Sequence, residues 1–82
     1  MTATLQDIRG YVERGQKNGS THVIIACDTF DHDNYPVFVS REENVQEKID
    51  DINKSEMQKI DEVYNLQIPI EPQLQAPRAY NL

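Results

Sequence analysis

The residues most able to do chemistry lie together in one stretch, CDTFDHDNYPVFV, which runs from residue 27 to residue 39. It begins with the chain's only cysteine, and three aspartates and a histidine follow at once, between two apolar runs. Residues of these types suit a thiol nucleophile, a metal site or a polar loop that recognises a partner. The flanking sequence favours the third of these.

A cysteine nucleophile needs a histidine base within hydrogen-bond reach and surroundings that favour the thiolate. His32 is the candidate base. However, Cys27 ends an apolar run beside Asp28, and the negative charge of this neighbour disfavours a thiolate. We therefore expect Cys27 to pack as a small apolar side chain, and we predict no catalytic residue.

A divalent cation is the next possibility, because carboxylates and imidazole are common metal ligands. Asp28, Asp31, His32 and Asp33 would supply them. The spacing departs from the calcium-binding loop, which has a glycine at its sixth position and a glutamate at its twelfth, where this chain has Asp33 and Val39. The aspartates are better suited to accept hydrogen bonds from the turn's own amides, so we predict no metal and no cofactor.

The charge of the chain limits its partners. It has 8 basic and 14 acidic residues, a net charge of −6, which argues against general binding of nucleic acid. Only in the first third do basic residues (Arg9, Arg14 and Lys17) outnumber acidic ones (Asp7 and Glu13), and no glycine-rich phosphate loop is present. A nucleotide-like ligand is therefore expected to bind, if at all, to these residues: Arg9, Arg14, Lys17, His22, Arg78 and Tyr80.

Hydrophobic periodicity predicts an α+β domain over residues 1–66. Leu5, Ile8 and Val12 recur at helical spacing behind a cap at Thr4, and a capping box at Ser40 precedes a second helical pattern. The predicted order is a helix at 4–16, strands at 22–27 and 35–39, a helix at 41–53 and a strand at 57–66. The last segment also fits a helical period, but the strand is favoured because it would complete a three-stranded sheet. The three strands are expected to form an antiparallel sheet covered by the two helices.

Residues 67–82 contain three of the four prolines and show no helical period, so they are predicted to form an extended arm. The arm is rich in apolar residues and should dock, either on its own domain or on a second copy. A chain of 82 residues with one cysteine has a small core and no internal disulfide. We therefore expect a homo-oligomer.

The motifs THVIIACDTFDHDNYPVFV, EVYNL and PRAYNL resemble a group of small uncharacterised proteins encoded by bacteria and their phages. The resemblance implies no activity and no site residue, only an accessory protein of the host bacterial cytoplasm. The N-terminal MTATLQDIRG does not look like a signal peptide, and no apolar run is long enough to span a membrane, which agrees with that location.

By analogy with compact acidic phage inhibitors, we expect a non-enzymatic protein that binds and blocks or sequesters a host factor. The partner would be a host protein complex or a small nucleotide-like ligand. The alternatives are a metal-assisted hydrolase using the aspartate loop and an acidic mimic of nucleic acid. The predicted recognition loop comprises Asp28, Thr29, Phe30, Asp31, His32, Asp33 and Tyr35.

Overall fold

A computed structural model describes residues 3–82. The elements are α1 (Leu5–Asn18), β1 (His22–Asp28), β2 (Asn34–Val39), α2 (Val45–Lys54), β3 (Gln58–Asn65) and α3 (Glu71–Gln75). The strands form one antiparallel sheet in the order β2-β1-β3. The predicted α+β fold with a three-stranded antiparallel sheet is confirmed. No helix within residues 3–82 is both long enough and apolar enough to cross a bilayer.

The central strand β1 is buried on both faces, which explains its unbroken apolar run. Val23 and Ile25 pack with Ile8 of α1 on one face of the sheet. Ile24, between them, packs with Ile49 of α2 on the other face. Alternate side chains of a strand point to opposite faces, so a strand between two helical layers needs apolar residues at every position.

Helix α1 begins where the capping pattern predicts. Asp7 N donates to Thr4 Oγ1 (3.1 Å), and Thr4 N donates to Asp7 Oδ2 (3.0 Å), which completes a capping box. The helix continues to Asn18 and ends at Gly19, which adopts a left-handed φ of 75°. It is slightly longer than predicted because Gly19, not Gly15, provides the left-handed C-cap.

Helix α2 begins at Val45 rather than at residue 41. Ser40 N does donate to Glu43 Oε1 (3.0 Å), but this contact closes a turn ahead of the helix. The N-cap is Asn44, whose side chain accepts hydrogen bonds from the backbone N–H groups of Gln46 and Glu47. Two competing cap signals lie close together here, and the later one determines the helix start.

The prediction of an extended arm over residues 67–82 is wrong, because this segment contains helix α3 and folds onto its own domain. Leu74 and Ala79 are buried in the same cluster as α1. Val63 N donates to Ala79 O (3.0 Å), and Asn81 N donates to Val63 O (3.0 Å), so the chain pairs briefly with the outer edge of β3. Covering this edge prevents its amides from pairing with another chain.

Strand β2 forms the opposite edge of the sheet, as Pro36 in its sequence suggests. Asp28 N donates to Asp33 O (2.9 Å), so these two residues form a hydrogen-bonded pair. From this pair onward, non-hydrogen-bonded and hydrogen-bonded residue pairs alternate between β1 and β2. Pro36, opposite Ile25, thus falls at a position without ladder hydrogen bonds. The missing N–H of Pro36 interrupts only the outward edge, which weakens it as a template for a further strand.

Candidate partner-recognition site

The loop between β1 and β2 is closed by its own aspartates. Phe30 N donates to Asp28 Oδ1 (2.8 Å), and Asp33 N donates to Asp31 Oδ1 (3.1 Å). His32 N also donates to the carbonyl of Asp28 (2.8 Å). These are the hydrogen bonds expected when short acidic side chains stabilise a turn.

The loop does not assemble a catalytic or metal-binding cluster in the described structure. Cys27 is buried and its Sγ donates to the carbonyl of Asp28 (3.5 Å), whereas His32 is exposed on the loop with φ 61°. Within residues 3–82, no three histidine, cysteine, aspartate or glutamate side chains are grouped so that they could hold a metal ion. The geometry thus gives no support to the thiol or the metal alternative.

Two apolar side chains are exposed where this loop meets the connection before β3. Phe30 is 82% exposed and Met57 is 53% exposed. Thr29 joins the two segments, because its N donates to Met57 O (2.9 Å) and its Oγ1 donates to Glu56 O (3.2 Å). We call this area the loop surface; it consists of Asp28, Thr29, Phe30, Asp31, Asp33, Glu56 and Met57.

Tyr35, predicted both to begin the second strand and to belong to the recognition loop, lies in β2 opposite Ala26. Its hydroxyl oxygen is buried and has no hydrogen-bond partner within residues 3–82. Burial, followed by the negative charge of Asp28, raises the pKa of the Tyr35 phenol. Tyr35 supports the base of the loop and does not contribute to its exposed tip.

Among the residues predicted to share an anion site, Arg9 is already paired with a carboxylate. Arg9 forms a two-pronged ion pair with Glu71 of α3, with Nη1–Oε1 at 2.6 Å and Nη2–Oε2 at 3.1 Å. The hydrogen bond between them raises the pKa of Arg9 and lowers that of Glu71. Arg14 and Lys17 are exposed on α1, and Tyr80 is half-exposed beside β3.

His22 is also separated from the α1 residues. It is 7% exposed, and strand alternation places it on the α2 face of the sheet together with Ile24. Its Nδ1 lies 2.9 Å from Thr21 Oγ1, and its Nε2 is buried with no hydrogen-bond partner within residues 3–82. Burial lowers the pKa of His22, opposed by the backbone of Leu82. Within the predicted anion site, the structure thus separates His22 from the residues of α1.

A pocket of about 350 Å³ lies on the α1 face of the sheet, at the end that carries the loop. We call it the bulge pocket, because Ile25 pairs with Glu62 and Ala26 with Ile60, which leaves Asp61 as an unpaired β-bulge. The lining residues are Ala3, Ile8, Ile25, Asn34, Asp61, Glu62, Pro77 and Arg78.

Sequence reasoning missed all of the pocket's polar residues except Arg78. The available signal is the adjacent acidic pair Asp61 and Glu62 inside a strand pattern, between the buried Ile60 and Val63. Two consecutive acids in such a strand are a sign of irregular pairing. Arg78 was expected to close over a phosphate, but its Nε donates to Asp61 O (2.8 Å) and its Nη2 donates to Ile60 O (3.0 Å).

The loop surface and the bulge pocket adjoin each other through Asn34, the first residue of β2. Asn34 follows the loop directly and lines the pocket, where its Nδ2 donates to Asp61 Oδ2 (2.7 Å). This end of the sheet thus combines an exposed aromatic side chain, an acidic rim and a concave site. No protein-family description, curated protein or solved structure matches this chain.

Proposed function

We propose that this chain is a non-enzymatic accessory protein that binds a partner protein through the loop surface and blocks it. The observation that carries the proposal is the exposure of Phe30, 82%, at the tip of a loop whose backbone is held by aspartate hydrogen bonds. Aromatic side chains dominate the energetics of many interfaces, and a fixed loop loses little conformational entropy on binding. Phe30 is therefore placed to act as an anchor.

The partner is expected to offer an apolar pocket with a basic rim. Asp28, Asp31 and Asp33 flank Phe30 in the sequence, and Glu56 precedes Met57, whose backbone is joined to Thr29. Complementary charge at the rim of an interface speeds association and excludes wrong partners more than it adds affinity. Partner binding should consequently weaken as ionic strength rises.

Blocking a protein has more support than sequestering a nucleotide, because Arg9 is already paired with Glu71 and His22 is buried. The hydrolase alternative has little support, since the aspartates of the loop accept hydrogen bonds from its own amides. A nucleic-acid mimic is also less favoured, because Lys48 neutralises Glu43 within the acidic segment. The host bacterial cytoplasm as the location follows only from the resemblance of the sequence motifs.

The test compares Phe30→Ala with Leu82→Ala, since Leu82 is a similarly large apolar side chain, 54% exposed, beside Asn65 at the other end of the sheet. Partners captured by each tagged variant from bacterial cells are quantified by mass spectrometry, and the purified partner is then titrated by calorimetry. Phe30→Ala should weaken binding by about 30-fold or more, the range of an interface anchor, and Leu82→Ala should not. Equal binding by both variants would refute the proposal.

A further inference from the structure

The bulge gives the pocket two adjacent carboxylates that a regular strand would separate. Consecutive residues of a regular strand face opposite sides of the sheet. Here Asp61 has no partner in β1, and its carboxylate turns toward Asn34 on the α1 face, where Glu62 also lies. Re-aiming a side chain in this way is a common role of β-bulges beside functional sites.

Neither carboxylate is neutralised by the described part of the chain. Within residues 3–82, Asp61 and Glu62 form no ion pair, and Arg78 donates to the backbone carbonyls of Asp61 and Ile60. Asp61 uses Oδ2 to accept from Asn34, and Glu62 uses Oε2 to accept from Ala79 N (3.3 Å). Burial, followed by the charge of Glu62, raises the pKa of the Tyr64 phenol. Among the lining residues within 3–82, two partly buried carboxylates therefore accompany one guanidinium group.

The geometry points to a primary ammonium group as the ligand, and specifically to a lysine side chain of the partner protein. A guanidinium group prefers to engage both oxygens of one carboxylate, but each carboxylate already has one oxygen bound to the protein. An ammonium group instead donates from a single nitrogen in several directions, so it can bridge one oxygen of each carboxylate. The inference rests on the proposed function, because the partner would deliver this lysine when it binds the loop surface.

The rest of the pocket fits the aliphatic part of lysine. Ile8, Ile25 and Pro77 provide an apolar lining against which methylene groups can pack. The volume, about 350 Å³, is sufficient for one long side chain and falls within the range typical of ligand sites. Asn34 links this pocket directly to the loop, so one partner surface can contact both.

The experiment is an NMR titration of the isolated protein with Nα-acetyl-lysine methylamide. The norleucine analogue tests whether the ammonium group is needed. The arginine analogue tests whether a planar guanidinium group can replace it. We expect the lysine probe to shift the amide resonances of Asp61, Glu62 and Ala79 and to bind about 10-fold more tightly than either analogue. Asp61→Asn and Glu62→Gln should each weaken it by a similar factor.

Glu42→Gln is the matched control, because it removes the same charge at an exposed position outside both the loop surface and the pocket. Equal binding of the three probes, or an equal loss in Glu42→Gln and Glu62→Gln, would overturn the inference. If the lysine probe fails while partner binding still depends on Phe30, the pocket inference alone is refuted. If the probe binds as expected but Phe30→Ala does not affect the partner, the proposed function is refuted instead.

Discussion

The side-chain amide of Gln73 pairs with the backbone of Asn65 as if it were another strand. Asn65 N donates to Gln73 Oε1 (2.8 Å), and Gln73 Nε2 donates to Asn65 O (2.8 Å) and to Pro69 O (2.9 Å). Gln73 is only 5% exposed, so these backbone groups have little access to water. This pair fixes α3 to the end of β3.

Gln73→Leu should therefore destabilise the fold strongly although it is a polar-to-apolar change in the interior. It leaves the N–H and C=O of Asn65 without their partner, and buried unsatisfied groups cost roughly 1–3 kcal/mol each. We expect the free energy of unfolding in urea to fall by about 3 kcal/mol. Gln75→Leu, at an exposed position of the same helix, should change it by less than about 0.5 kcal/mol. Similar values for the two variants would contradict the structural role of the pair.

Alanine substitutions at the two interior glycines of α1 should have opposite effects. A Cβ on Gly15 would lie 2.8 Å from both Leu66 Cδ1 and Val23 Cγ2, whereas a Cβ on Gly10 would meet nothing within 4 Å. Gly10→Ala should stabilise the fold by about 0.5–1 kcal/mol through helix propensity. Gly15→Ala should destabilise it by about 1–3 kcal/mol, because Val23 is fully buried in the central strand and cannot easily move. Thermal unfolding would show whether the two shifts differ in sign.

Acid should destabilise the protein through His22. Because burial lowers the folded-state pKa of His22, the unfolded chain binds the proton more readily. The stability associated with neutral His22 is fully present above the unfolded pKa, about 6.5, and is lost as the pH falls through the folded pKa. Urea unfolding at pH 7.5 and 5.5 should show this loss, and His22→Leu should reduce the difference between the two pH values. An unchanged pH dependence in His22→Leu would assign the effect to another group.

Self-association remains a prediction, and the structure indicates where to test it. The exposed Ile68 lies beside a pocket of about 260 Å³ whose lining includes Pro69, Pro72 and Ala76. We expect sedimentation velocity of the full chain to show an oligomer and Ile68→Glu to shift it toward the monomer. Leu5→Glu, at an apolar side chain of similar exposure on α1, should not have this effect. A full chain that stays monomeric at high concentration would contradict the prediction.

The elements whose signals are local could be predicted from the sequence alone. The helical spacing of apolar residues around Ile8 indicates α1, and the β-branched run around Ile24 indicates β1. Both patterns reflect the side chains that a single element must bury. The turn-forming role of Asp28 and Asp31 was likewise predictable, since each aspartate accepts from an amide two residues further along the chain.

The bulge pocket and the position of residues 67–82 depend on contacts that form only in the assembled fold. The bulge at Asp61 depends on its register with β1, and the side chain of Asp61 is oriented by Asn34 from another strand. The docking of the C-terminal segment depends on Gln73 and Ala79 meeting β3. These contacts join residues distant in sequence, and their free energy comes from burial and hydrogen bonding in the assembled fold, which no local pattern encodes.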